Sequence, residues 1–267
     1  MIRGAFTAFG GAALALAWSP APAAVFGHGF AAHMTSHMTV VAVAAPLLAL
    51  SLVGSRADPS TTRPALFAAV PASLVELVAV WGWHAPAAHD LARSNGLAFV
   101  AEQASFLVAG LWLWIACLGH GGARPAAAQG VIGMLLTSIH MTLLGVVLST
   151  TTIPLYAAHH GGAAEALHQQ HLGGIVMLLV GGGVYLAGGL ALAARLLTDD
   201  ARAPSSLPLQ RGGQGGDRSG SGGDLRRRTP RPVLPTQPSP QRGEGSGDGA
   251  RASPTVNPIT CSGRPAP

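Results

Sequence analysis

The chain carries eleven histidines in 267 residues, and no lysine. Imidazole ligates metals and exchanges protons near neutral pH, so the positions of these histidines are the first guide to chemistry. His33 and His37 are four residues apart, and a helix through them sets both on one face, a turn apart. Each is followed by a methionine, Met34 and Met38, in the string HMTSHM. Imidazole beside thioether suits copper, Cu(I) above all, better than hard cations, whereas imidazole with carboxylate and no sulfur suits zinc or iron equally well. His168 and His171 make a second same-face pair, His84 follows Trp83, and Glu102 lies within an apolar run. An ionisable group in a membrane helix is costly and is a functional candidate by default.

The elements that must position these residues are membrane helices. Only 10% of the chain is charged and 49% is hydrophobic, against roughly 25% charged in a soluble domain. A spanning helix needs about 20 mostly apolar residues. Ala31 to Gly54, Pro64 to Trp83, Leu97 to Leu118, Ala126 to Thr150 and Leu172 to Leu197 all qualify, each bounded by Gly, Pro, Asp or Arg. A shorter run, Gly4 to Trp18, follows Arg3, and Ala21-Pro22-Ala23-Ala24 after it resembles a signal-peptidase site. A retained first helix is the preferred reading, giving an all-α integral membrane bundle of about six helices over residues 1–200. Residues 201–267, rich in Pro, Gly, Ser and Arg, cannot bury enough apolar surface to offset chain entropy and are expected to form a disordered tail. Ten of the sixteen arginines lie in that tail, so its charge governs the pI near 10.5 and does not argue for nucleic acid as a partner.

Arginine placement sets the expected topology. With Arg3 inside, the loops at 55–63 and 119–125 and the C-terminus are also inside, with Arg56, Arg63, Arg124 and Arg195, while the outer loops hold only Arg93. Nine of the eleven histidines then fall at the outer ends of helices; His120 is at the inner face and His140 midway along the fifth helix. His140 is expected to hydrogen-bond a neighbouring helix, and Glu76 to support His84 or to pack as a protonated acid. His159 and His160 are either solvated or capture ligands. Gly174, Gly181 and Gly188, with Gly182 and Gly189, form a small-residue stripe that lets another helix approach closely. The two cysteines, Cys117 and Cys261, have no partner at a useful spacing. No GxSxG, P-loop, HExxH or CxxCH motif is present.

The ordered strings ALAWSP, HMTSHM, WGWHAP, AEQASFLVAGLWLW, PLY and QQHLGGIVMLLVGGGVYL, spread over residues 12 to 197, resemble one family. This is the multi-spanning CtaG-type cytochrome c oxidase assembly factors. The resemblance implies a role in building a haem-copper oxidase by delivering or inserting copper. It also implies that His33, His37 and His84 match family histidines and that Gln170 to Gly174 match its Gln-rich turn. The family's Glu-His in the fourth helix is Glu102-Gln103 here, and the acidic residue usual before the last helix is Gln169.

Residues and resemblance together predict a non-enzymatic assembly factor in the bacterial cytoplasmic membrane, multi-pass, with both termini cytoplasmic. It would handle exchangeable copper, as Cu(I), at an outer-face site of His33, His37, His84, Glu102, His168 and His171 with Met34 and Met38. Its partners would be cytochrome c oxidase subunits and the lipid bilayer, with homo-oligomerisation left open. The competing readings are a membrane haem protein of b-type cytochrome kind and a metal transporter.

Overall fold

A computed structural model describes residues 2–119, 124–156 and 162–202. The expectations for His120, His159, His160, Cys261 and the tail from residue 203 lie outside the described residues.

The described residues form helices and no strand: α1 (Ile2–Ala17), α2 (Ala21–Phe26), α3 (Phe30–Met38), α4 (Ala45–Leu52), α5 (Pro59–Thr62), α6 (Ala69–His84), α7 (Pro86–Ser94), α8 (Gly96–Leu118), α9 (Arg124–Thr150), α10 (Ala163–Val176) and α11 (Gly183–Arg202). Phe30–Leu52, Gly96–Leu118, Pro125–Thr150 and Ala163–Thr198 are long and apolar enough to cross a membrane. The 16-residue helices α1 and α6 complete a bundle of six. The helix expected from Pro64 is shorter than its apolar run. Pro64–Phe67 is a 3₁₀ turn, and α6 begins at Ala69, which puts Pro71 in the first turn, where a missing N–H breaks no helical bond. The last helix is longer than expected and starts at Ala163. Its 36 residues reach about 54 Å at 1.5 Å per residue, so its polar first turns extend beyond a hydrocarbon core of about 30 Å.

Alternating helix directions give the bundle two distinct ends. At one, Arg3 donates to the Gly54 carbonyl (2.6 Å), and Asp58 accepts from the Ser60 amide as the N-cap of α5 (2.9 Å). At the other, the Trp18 indole donates to Gln103 (3.0 Å). α1 packs on α4, and α9 packs against α6, α8, α10 and α11.

Two stretches widen into π-helix, Thr39–Ala44 and Met177–Gly182. The first is explained by Pro46, which has no N–H and whose ring collides with the carbonyl four residues back. Ala45 N–H therefore bonds back to Val40, and the Val41 carbonyl has no donor left in its own helix. It accepts instead from the Trp114 indole (3.0 Å) and the Tyr185 hydroxyl (3.2 Å). The same hydroxyl, with its single proton, also meets Glu76 Oε1 at 2.5 Å. Glu76 thus belongs to this mid-bundle network with Tyr185 and does not support His84 directly.

The glycine stripe is used within the chain. A Cβ on Gly174 would lie 2.6 Å from the Ser149 amide, and one on Gly181 would lie 3.0 Å from the Met38 sulfur. Close packing of α10 and α11 on their neighbours therefore requires these positions to be bare.

Candidate metal centre

The histidine end is assembled by a chain reversal. Pro86 forces Ala85 into extended backbone (ψ 131) and ends α6 at His84. The same proline opens α7, which lies over the bundle end with His89 and Ala92 buried. Asn95 then starts α8 by accepting from the Leu97 and Ala98 amides (2.9 and 3.1 Å). That start places Glu102 two turns inside the helix.

Three side chains from three helices converge here: His33 of α3, His89 of α7 and Glu102 of α8. One ligand atom from each lies within 4.8 Å of the other two, and all three residues are buried. His33 Nε2 is 3.7 Å from Glu102 Oε1, and the His33 and His89 rings are 5.1 Å apart. Two imidazoles and a carboxyl group form a set that suits a transition-metal ion. Glu102 Oε2 is held by Arg93 at 2.8 Å, and Gln103 donates to the same oxygen at 3.2 Å. Arg93 also lies over the Phe99 ring, 5.0 Å from its centre. A cavity of about 270 Å³ opens beside the cluster, with His28, His33, Ser36, Arg93, Phe99 and Gln103 in its wall.

Beneath this cluster lie His84, Met34 and His37. His84 Nδ1 meets the Val80 carbonyl at 2.6 Å, and its Nε2 faces the Met34 sulfur at 3.1 Å. The His37 ring is 5.4 Å from that of His84, and neither of its nitrogens has a hydrogen-bond partner. Phe30 stacks on Tyr156 (4.2 Å), and the Tyr156 hydroxyl donates to the His84 carbonyl (2.7 Å). Burial first, and then the Asp90 carboxylate, push that phenol above its ordinary range and keep it a donor. The PLY string therefore braces His84. Gln170 braces PLY in turn, accepting from the Leu155 amide at 2.8 Å.

Of the eight residues expected at the site, five meet here: His33, His37, His84, Glu102 and Met34. Met38 is buried, but its sulfur packs at Gly181. His168 and His171 do not join the cluster. The buried face of α10 runs through Ala166, Gln170, Gly173 and Gly174, and residues two apart on a helix point away from each other. His168 is accordingly exposed, and His171 donates to the Thr151 carbonyl at 2.8 Å. Their shared face is real, but it is turned away from the ligand set. His89 was not expected as a ligand. The signal in its favour was its position four residues before Arg93, the single arginine of the outer loops. The hydrogen bond expected for His140 is absent, both ring nitrogens being buried without a partner.

A bundle of apolar helices with a histidine–carboxylate cluster under one end defines a membrane protein with a candidate metal centre. The chain matches the cytochrome c oxidase caa3 assembly factor family (Caa3_CtaG) over residues 3–199, and it belongs to that family. No curated protein and no solved structure matches it.

Proposed function

We propose that this assembly factor binds copper at the histidine end of its bundle and passes it to an oxidase subunit. That end faces the outer side of a bacterial cytoplasmic membrane, with both termini cytoplasmic, as the arginine distribution argues. The observation that carries the reading is the convergence of His33, His89 and Glu102, three ligands from three helices within 4.8 Å of one another. Separate helices have no packing reason to bring two imidazoles and a carboxylate together beneath an apolar bundle end, because each desolvated polar group costs free energy. The role is cargo handling and not catalysis, and a carrier must release its ion. A site with few protein ligands beside an open cavity suits exchange better than a closed four-ligand cage. Glu102 contributes charge to the set, and Arg93 compensates that charge when no ion is held.

The test is elemental analysis and a visible spectrum of the protein purified in detergent after exposure to copper. Copper should co-purify. The His33→Ala/His89→Ala variant should insert and accumulate but retain less copper. Cells carrying it should assemble an oxidase short of copper, with activity partly restored by added copper. A haem absorption band without copper would replace this reading by the haem-protein one.

A further inference from the structure

His84 Nδ1 faces a carbonyl, which can only accept, at 2.6 Å. The ring proton therefore sits on Nδ1, and Nε2 presents a lone pair. What Nε2 faces, at 3.1 Å, is the Met34 sulfur, which has no proton to give. Two acceptors are thus pressed together in a buried site, an arrangement that costs free energy unless a cation lies between them. A second ring proton would not relieve this cheaply, since it would bury a charge against a thioether and the Phe106 ring. An Nδ1–H held by a backbone carbonyl is also how metal-ligating histidines are commonly oriented, with Nε2 directed at the ion. His37 adds a fully buried imidazole whose two nitrogens lack hydrogen-bond partners.

We infer that the chain carries two metal sites in series: an entry site of His33, His89 and Glu102, and a deep site of His84, Met34 and His37 that selects monovalent copper. The inference rests on the copper-handling function and adds a second site with its own ligand chemistry. Two imidazoles and a thioether form a three-ligand set that suits Cu(I) better than Zn²⁺ or harder ions, because the sulfur favours the soft ion. The dimensions fit. With metal–nitrogen bonds of about 2.0 Å at trigonal angles, two imidazole centres lie roughly 5.5 Å apart. The His37 and His84 centres are 5.4 Å apart, with their rings nearly perpendicular at 87°. With a metal–sulfur bond of about 2.3 Å, a coordinated nitrogen and sulfur lie roughly 3.7 Å apart. The contact of 3.1 Å therefore needs to open by only a fraction of an ångström.

The two sites are joined by α3. His33 and His37 are one turn apart on it, and the His33 and His84 rings are 6.2 Å apart. Cu(I) enters from the cavity beside His33, is held by nitrogen and oxygen, and exchanges those ligands for nitrogen and sulfur one turn deeper. No electron moves. The oxygen ligand makes the entry site the weaker of the two for a soft ion, so transfer runs inward. Phe30, stacked on Tyr156, stands edge-on to His84 at 6.3 Å, and His84, Met34 and His37 are all buried.

The experiment is anaerobic titration of the full chain in detergent with Cu(I) against a chromophoric chelator, followed by copper X-ray absorption. The wild type should bind two equivalents with a sulfur scatterer in the average shell. Met34→Leu, a volume-conserving change, should bind one equivalent and lose the sulfur signal. His89→Gln should bind one equivalent and keep it. His37→Gln provides a second route to the deep site and should also leave one equivalent, of the entry kind. Retention of two equivalents or of the sulfur signal in Met34→Leu overturns the deep site while leaving copper handling intact. Binding of a single equivalent by the wild type overturns the series arrangement. A wild type that binds no Cu(I) defeats the copper reading itself, and the deep site with it.

Discussion

Replacing Gly173 by alanine tests whether the packing of α10 on α3 sets the position of the thioether. A Cβ at this position would sit 2.6 Å from Phe30 Cδ1 and 2.8 Å from Met34 Cγ. Carbon atoms pack at about 3.5–4.0 Å, so one or both side chains must retreat by roughly 1 Å. Phe30 is held in a stack on Tyr156 at 4.2 Å, and the flexible Met34 side chain is the one expected to give way and carry its sulfur off the His84 axis. Overpacking of this kind costs about 1–3 kcal/mol, or roughly five- to 150-fold if it is expressed in copper affinity. Gly183→Ala is the matched control, because nothing lies within 4 Å of a Cβ at that helical position. It should be neutral or stabilising by up to about 1 kcal/mol. Both variants would be followed by thermal unfolding in detergent and by Cu(I) competition. If Gly173→Ala matches Gly183→Ala in both assays, the contact between these helices does not position Met34 and the argument fails.

Arg93→Gln removes the cation from a carboxylate with no exposed surface. Breaking a buried pair on one side costs about 3–5 kcal/mol, the lower part of that range being expected here because Arg93 is partly exposed. The unfolding midpoint should fall without copper and recover more on adding copper than it does in the wild type. His168→Ala should leave copper content and stability unchanged within error; a loss of copper would return that residue to the site. Reporter fusions after Ser55 and Gly122 should report cytoplasm, and those after His89 and Gly162 the outer compartment; the reverse pattern would refute the assigned orientation. Truncation after Ala203 should leave insertion and copper content as they are, as measured by membrane fractionation and elemental analysis.

Much of this protein follows from the order of its residues. Apolar runs of 20 or more residues can only be satisfied as membrane helices, because a helix pairs its own backbone groups in hydrocarbon. The site's candidate ligands could be picked out in the same way, since His33, His37, His84 and Glu102 stand out as polar groups in or beside such runs. Pro46 likewise guarantees a carbonyl without a donor near the middle of the second long helix, although only the fold shows that Trp114 and Tyr185 supply one. Helical periodicity reports which residues share a face, but not which face turns toward the bundle axis. His168 and His171 share a face as their spacing requires, yet the close approach of Gly173 to Phe30 and Met34 rotates that face away from the ligands. His89 lies beyond the break at Pro86, where the path of the chain depends on how α7 lies across the bundle end. Sequence spacing carries no information across such a break. That is why the third candidate ligand, and the contact between His84 and Met34 fifty residues apart, were decided only by tertiary packing.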